Sequence, residues 1–303
     1  MTRPTPVRIA TRSSDLALWQ ARWVAARLER SGLASELVLV RTEADHNLAP
    51  IRDLGVGVFV KAVQDAVKGG RADLAVHSFK DLPSAPADGL EVAAVPERAA
   101  VHDVLLVRPE AFDAEAGPLP LVAGARVGTG AVRRQAQLRA LRPDTEPVGL
   151  RGNVPTRVGA ARSGVTRDGE RLDAVVLAAA GLDRLALDLD GLVRVDLDPT
   201  VFLPAPAQGA LALEIRRGDP LGDPLTDLHD VRGFPLVAAE RGLMAVLDAG
   251  CQLALGAHAT RTPEDDVALA AWYEGARVDV RHRAAEAAAL LAYEALGRPG
   301  RRA

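Results

Sequence analysis

The chain of 303 residues contains a single cysteine, Cys251, within the stretch LDAGCQLALG. One thiol excludes an internal disulfide framework, and the opening residues MTRPTPVRIATRSS contain no apolar stretch typical of a secretory signal. Both observations predict a reducing, cytoplasmic location. The residues alone leave three interpretations of Cys251 open: a small buried hydrophobe, which we favour first, a reactive or modified thiol, or a residue kept by chance.

The sequence also lacks long hydrophobic runs and a strong charge of one sign. No apolar run reaches the roughly 18 residues of a membrane helix, and a net charge of −3 gives no general attraction to nucleic acid. P-loop, GxGxxG and HExxH motifs are absent, and the six histidines are scattered without metal-ligand spacing. These absences predict a chain without a nucleic-acid, membrane or metal-ion partner.

Lysine is scarce. Only Lys61, Lys68 and Lys80 occur among 37 basic residues, so the other 34 are arginine. A genome rich in G and C explains much of this bias, and most such side chains are expected at the solvated surface. A cleft that binds several carboxylates would also recruit arginine, because its planar guanidinium pairs with a carboxylate through two hydrogen bonds.

Alternating short apolar strands and amphipathic helices predict an α/β fold with parallel sheets. The first lobe contains predicted strands at 7–10, 36–42 and 73–78, with helices after Ser13 or Ser14 and at 58–70. The second lobe repeats the pattern. Its predicted elements are strands at 104–107, 125–129, 146–150 and 173–180 and helices at 131–142 and from 154.

A strand within 202–216 follows a proline-rich crossing and is predicted to return to the first lobe. Beyond Asp219-Pro220, a helix at 236–247, the cysteine loop, a few strands and an Ala-rich helix at 284–297 predict a small third domain of the α+β type. The predicted domains are therefore 1–98 with 199–217, then 99–198, and then 218–303.

The stretch HSFKDLPS (77–84) places His77, Ser78, Lys80 and Asp81 where a strand ends and a loop begins. Ligands of open α/β sheets bind outside the carboxyl ends of the strands. The alternative is an ordinary polar turn that ends at Pro83. The rare lysine beside an aspartate favours a site.

Arginines follow several other strand ends. In GTGAVRR (128–134), Arg133 and Arg134 lie in the first turn of a helix, where basic groups oppose the helix dipole unless a ligand anion offsets them. Each alone is more often a surface residue. Their shared placement with the others predicts one anion-binding cleft between the lobes, lined by Arg12, Arg133, Arg134, Arg151, Arg157 and Arg184.

Seven stretches, in order from residue 8 to about 259, resemble the porphobilinogen deaminase family, also called the hydroxymethylbilane synthases. They are RIATRSSDLALWQA, AVHSFKDLPS, GTGAVRRQAQL, LRGNVPTR, LAAAGLDRL, PAPAQGALALE and AERGLMAVLDAGCQLALGAHA. The resemblance implies two lobes like those of periplasmic binding proteins, and a small α+β C-terminal domain that carries the cofactor cysteine. The last 40 residues are weakly diagnostic.

The resemblance makes Cys251 a modified thiol, which holds a covalent dipyrromethane cofactor through a thioether. It implies a transferase that joins four porphobilinogens head-to-tail on this primer, loses ammonia at each addition, and releases hydroxymethylbilane for porphyrin and haem biosynthesis. Asp81 matches the catalytic aspartate, with a mainly electrostatic role. A monomer is expected from the resemblance alone.

The resemblance also implies that basic and hydroxyl side chains hold the acetate and propionate groups of the pyrroles, and that Gln208 is a hinge or contact residue. The implied binding residues are Arg12, Ser14, Ser78, Lys80, Thr129, Arg133, Arg134, Arg151, Arg157, Arg184 and Gln208.

The chain departs from the family pattern at Val56, His102, Gly130, Ala131 and Pro155, and at Asp248-Ala249. Several departures remove polar or flexible groups near the expected site, and each lost hydrogen bond to a charged group is worth about 1.5–3 kcal/mol. Two alternatives therefore stay open: a divergent paralogue with a different pyrrole substrate or product, and a pyrrole-binding relative without turnover.

Overall fold

Three apolar strands of the first sheet, at residues 7–11, 74–78 and 211–216, are buried almost throughout, as strands covered on both faces require. The structure is a computed structural model, and it describes residues 5–40, 58–247 and 253–299. The strands are, in chain order, β1 (Val7–Thr11), β2 (Ser35–Leu39), β3 (Leu74–Ser78), β4 (Leu90–Ala94), β5 (Asp103–Val107), β6 (Arg126–Gly128), β7 (Glu146–Val148), β8 (Ala174–Ala178), β9 (Val193–Asp196), β10 (Leu211–Arg216), β11 (Leu255–Arg261), β12 (Val267–Tyr273) and β13 (Ala276–His282).

Helices separate most of these strands, with short 3-10 turns between some of them. The α-helices are α1 (Asp15–Arg30), α2 (Val58–Lys68), α3 (Val132–Leu141), α4 (Val154–Ser163), α5 (Ala179–Leu185), α6 (Gly222–Leu225), α7 (Phe234–Val246) and α8 (Ala285–Ala295). None of the helices within the described residues is long and apolar enough to cross a membrane.

The described residues fall into two compact units. The first lies within Met1–Ala99 and Gly209–Pro235, and the second within Ala100–Gln208 and Leu236–Ala303. The first unit is built on one five-stranded sheet in the order β2-β1-β3-β10-β4. In this sheet β1 is parallel to β2 and β3, whereas β10 runs antiparallel to β3 and β4. The predicted return of β10 to the first sheet is confirmed.

The second unit contains two sheets. A five-stranded sheet has the order β7-β6-β8-β5-β9, and a three-stranded antiparallel sheet has the order β11-β12-β13. The strands β5 and β8 at the centre of the larger sheet are almost entirely buried, as continuous apolar sequence predicts. Helices α7 and α8 pack on the small sheet around Leu243, Leu269 and Ala288. The predicted α/β class is thus confirmed.

The segment between Leu203 and Gln208 belongs to the second unit, and the chain enters the first unit at Gly209 rather than near residue 199. The side chain of Gln137 bonds both backbone groups of Leu203, at 2.8 and 2.9 Å. The fully buried carboxylate of Glu240 accepts the backbone N–H groups of Ala207 at 2.7 Å and Ala259 at 2.9 Å. The predicted division into three domains stays a prediction.

Candidate functional site

In the first unit, the strand end of β3 presents two of the predicted site residues. A 3-10 turn (Phe79–Asp81) follows the strand directly, with Phe79 buried, Lys80 half-buried and Asp81 exposed. The backbone N–H of Phe79 donates to the carbonyl of Ala210 at 3.0 Å, which ties the turn to the start of β10. The buried Phe79 therefore anchors the turn that carries Lys80 and Asp81, and the exposed Asp81 can contact a ligand.

Ser78, at the last position of β3, faces helix α1. Its hydroxyl accepts a hydrogen bond of 2.8 Å from the side-chain amide of Gln20, a residue that sequence reasoning missed. Helical spacing marks Gln20 only as a polar residue on the buried side of α1, where its side chain is 3% exposed. A polar residue at a buried helical position is the signal that could have identified it.

Arg12 and Ser14 lie in the connection from β1 to α1. Ser14 has the extended backbone of an N-cap, and its carbonyl accepts the N–H of Leu18 at 2.9 Å. The hydroxyl of Thr11 donates to the carbonyl of Ala17 at 3.1 Å and closes the turn. Both predicted residues thus lie at the carboxyl end of a strand in the same sheet as β3, as the spacing predicts.

In the second unit, Arg133 and Arg134 point into the protein. Both are 5% exposed. Each guanidinium forms a salt bridge of 2.7 Å with the carboxylate of Asp103, which is fully buried. Burial by itself raises the pKa of Asp103, but the two neighbouring guanidiniums outweigh burial and hold the pKa well below its usual range. The charges that oppose the dipole of α3 therefore have an internal counterion, which the sequence argument overlooked.

Gln208 joins the same cluster. Its side-chain amide donates to a carboxylate oxygen of Asp103 at 2.8 Å and to the carbonyl of Val101 at 2.8 Å. Arg133 also donates to the carbonyl of Leu203 at 2.5 Å, and Arg134 to that of Val176 at 3.0 Å. The structure thus brings three predicted site residues together around an aspartate that sequence reasoning did not single out. The sequence signal that could have identified Asp103 is a charged residue at the start of a strand whose other residues are all apolar.

Thr129 and Gly130 lead from β6 into α3. Thr129 is fully buried, and its hydroxyl accepts the N–H of Ala131 at 3.2 Å. A Cβ atom at Gly130 would lie 2.8 Å from the carbonyl oxygen of Leu150, so glycine permits a close approach of two backbone segments. This explains one departure from the family pattern, because in this chain a larger residue at 130 requires the backbone to shift.

Arg151 and Arg157 flank the start of α4. Arg151 is exposed, and Arg157 donates to the carbonyl of Gly152 at 2.8 Å. Asn153 caps the helix by accepting the N–H of Thr156 at 2.9 Å. Pro155 lies in the first turn, where a backbone N–H has no helical partner to lose, so this departure is compatible with the helix.

Arg184 lies in the last turn of α5 and is partly buried. Burial lowers the pKa of its guanidinium to about 10, because desolvation disfavours the charged form. A ligand carboxylate would stabilise that charge. Cys251, Val56 and Asp248-Ala249 lie outside the described residues, so the predicted attachment point has no described geometry.

The family model of the porphobilinogen deaminase dipyromethane cofactor binding domain matches residues 7–222 of the chain. The chain belongs to the porphobilinogen deaminase family. This finding confirms the resemblance stated from the motifs.

Several relatives are named porphobilinogen deaminase. The relative from Micrococcus luteus is 46% identical over 281 residues, which cover 84% of this chain and 73% of the relative. The relative from Thermobifida fusca is 46% identical over 272 residues, which cover 88% and 81%. Such coverage places most of this deaminase-family chain within the similarity.

The solved structures that match the chain are much more distant in sequence. The periplasmic VFT2 domain of BvgS from Bordetella pertussis is 18% identical, with a TM-score of 0.43 over 78% of this chain and 91% of that one. The sulfate-bound regulatory domain of OxyR2 from Vibrio vulnificus is 13% identical, with a TM-score of 0.44 over 74% and 92%.

Proposed function

We propose that the chain is a hydroxymethylbilane synthase, a transferase that joins four porphobilinogen molecules head-to-tail with loss of ammonia. The observation that carries the proposal is the turn directly after β3, in a chain that belongs to this family. In this turn the exposed Asp81 follows Lys80, and the buried Phe79 anchors the turn. The product belongs to porphyrin and haem biosynthesis.

Cys251 would hold the dipyrromethane, which would supply a primer with a free pyrrole α-carbon for the addition of substrate units. The residues present fit a group that bears several carboxylates, because several cations here are accessible: Arg151 is exposed, and Lys80 and Arg184 are partly exposed. The side chains proposed to hold the cofactor and the growing chain are Arg12, Ser14, Ser78, Lys80, Thr129, Arg151, Arg157 and Arg184.

Asp81 is the proposed catalytic residue. Its carboxylate stabilises the positive charge that develops on porphobilinogen as ammonia leaves, and it accepts a proton from a pyrrole N–H or α-carbon. Lys80, beside it, provides a cation for a substrate carboxylate. Arg133, Arg134 and Gln208 all contact the buried Asp103. Their proposed role is structural support of the neighbouring binding residues.

We further propose a monomer in the cytoplasm, which acts on a small molecule without nucleic acid. The single cysteine and the nearly balanced charge support this proposal. The comparisons give no support to the alternative of a divergent paralogue, since the relatives named above carry the deaminase name.

The intact mass of the purified protein tests the proposal most directly. Wild-type protein from cells that make porphobilinogen is expected to exceed its sequence mass by two linked pyrrole units. Cys251→Ser, which keeps the size of the side chain and removes the thiol, is expected to show the sequence mass alone. Incubation of the loaded protein with porphobilinogen then identifies the product by chromatography.

An unmodified wild-type mass would contradict the cofactor and the proposed reaction with it. A loaded protein that consumes porphobilinogen but releases another pyrrole would support the divergent paralogue. Sedimentation at the mass of one 31.9 kDa chain checks the monomer.

A further inference from the structure

A polar cluster lies buried beside the strand end that presents Asp81. Gln64, His77 and Glu214 are 8%, 6% and 3% exposed. One carboxylate oxygen of Glu214 lies 3.1 Å from His77 Nε2, and the other accepts a 3.1 Å hydrogen bond from the side-chain amide of Gln64. Buried polar groups are costly unless they are hydrogen-bonded, so these three side chains depend on one another.

Glu214 connects three elements of the first unit. It lies on β10, while His77 lies on β3 and Gln64 on α2. In the antiparallel register His77 is opposite Ala212, so Glu214 is its diagonal neighbour on the same face of the sheet. The carboxylate thus joins the end of β3 to a neighbouring strand and to the helix packed on them.

The other face of the strand end is held separately. Ser78 points to the opposite face and accepts the 2.8 Å hydrogen bond from Gln20, and the N–H of Phe79 is bonded to Ala210. Glu214 therefore supplies the only one of these three attachments that depends on a charged side chain. The turn with Lys80 and Asp81 begins directly after these attachments.

We propose that Glu214 is a positioning residue, which holds the strand end that presents Asp81 through His77 and Gln64. A carboxylate suits this task because its two oxygens accept two hydrogen bonds in fixed directions. The inference rests on the proposed function, since it takes Asp81 to be the reacting carboxylate. A misplacement of about 1 Å at a catalytic group can lower a rate about 100-fold.

Glu214→Met tests the proposal, because methionine has a similar size and leaves both donors without an acceptor. In fully loaded protein we expect kcat for porphobilinogen to fall at least about tenfold, with KM changed by less than about threefold. Hydrogen exchange of the peptide over residues 76–84 is expected to accelerate at the same time. Glu214→Gln, which keeps one of the two acceptor oxygens, is expected to lower kcat less than Glu214→Met does. Gln64→Met, which removes one of the two hydrogen bonds, is likewise expected to lower it less than Glu214→Met.

Asp73→Asn is the matched control. Asp73 is a 3% exposed carboxylate just before β3, and it accepts hydrogen bonds from the backbone and guanidinium of Arg8 at 3.0 Å. This variant is expected to lower the melting temperature, while kcat and the exchange of residues 76–84 stay at the wild-type values.

Equal losses of kcat in Glu214→Met and Asp73→Asn would overturn the proposal, because both would then report lower stability only. Unchanged exchange of residues 76–84 in Glu214→Met would also overturn it. If exchange accelerates but Asp81→Asn keeps full turnover, Glu214 still positions the turn, and the catalytic role of Asp81 is the part that fails. If Glu214→Met does not fold, the kcat and exchange of Gln64→Met decide between these outcomes.

Discussion

Asp81 and Asp103 both lie at the end of a strand beside basic residues, yet their surroundings differ. Asp81 follows β3 in the first unit and is exposed next to Lys80. Asp103 begins β5 in the second unit, is fully buried, and pairs with Arg133 and Arg134. The same residue types therefore form an exposed pair, which we propose is reactive, in one place and a buried ion-pair cluster in the other.

The largest effect is expected for Asp103→Asn. The substitution leaves two buried guanidiniums without their carboxylate, which typically costs about 3–5 kcal/mol. A loss of this size lowers the melting temperature by about 10 °C, measured by thermal unfolding. Asp196→Asn is the control, because the partly exposed Asp196 pairs with Arg194 at the surface and its loss costs less than about 1 kcal/mol. Equal shifts in the two variants would contradict the structural role of Asp103.

Asp81→Asn is expected to act on turnover alone. Loss of a carboxylate aimed at developing charge lowers kcat by about 10²–10³-fold, while an exposed aspartate contributes little to stability. Steady-state kinetics and thermal unfolding of the same loaded sample measure both quantities. Asp88→Asn, at another exposed aspartate after the turn, is the control and is expected to keep full activity. Full activity of Asp81→Asn would contradict the catalytic role of Asp81, and with it the functional difference from Asp103.

The two regions also differ in their dependence on pH. The folded-state pKa of Asp103 is depressed below its unfolded value, so its stabilising contribution is present above about pH 4 and is lost as pH falls. As pH falls below about 4, the wild type is expected to lose unfolding free energy faster than Asp103→Asn, by up to about 1.4 kcal/mol per pH unit. Urea unfolding between pH 6 and 3 measures this difference, and parallel pH curves would contradict it.

The smallest effect on stability is expected at an exposed arginine–carboxylate pair, which has the same groups as the buried pairs of Asp103. Arg298 contacts Glu294 at 2.6 Å on the surface after α8, and both side chains are more than half exposed. Glu294→Gln is expected to change the unfolding free energy by less than about 0.5 kcal/mol, because solvent screens the pair. A larger change in urea unfolding would show that burial does not govern the ranking.

Local pattern was enough for most of the elements. The apolar runs of β5 and β8 and the alternation of strands and helices predicted the α/β class, and the prolines and glycines after helices marked their ends. The position of Asp81 at a strand end also followed from HSFKDLPS, since a run of apolar residues stops there. The burial of Arg133 and Arg134 against Asp103 could not be predicted in this way, because arginines at a helix N-terminus can face either a ligand or a buried partner.

By itself, the sequence determined the order of strands and helices, the family, and the residues available for chemistry, because these depend on local pattern and on motifs read in order. Only the tertiary structure decided which charges are buried and what compensates them. Asp103 lies 30 residues from Arg133, and Glu214 lies 137 residues from His77. Pairs so far apart meet only when sheets and helices pack, so their desolvation and their hydrogen bonds are properties of the fold.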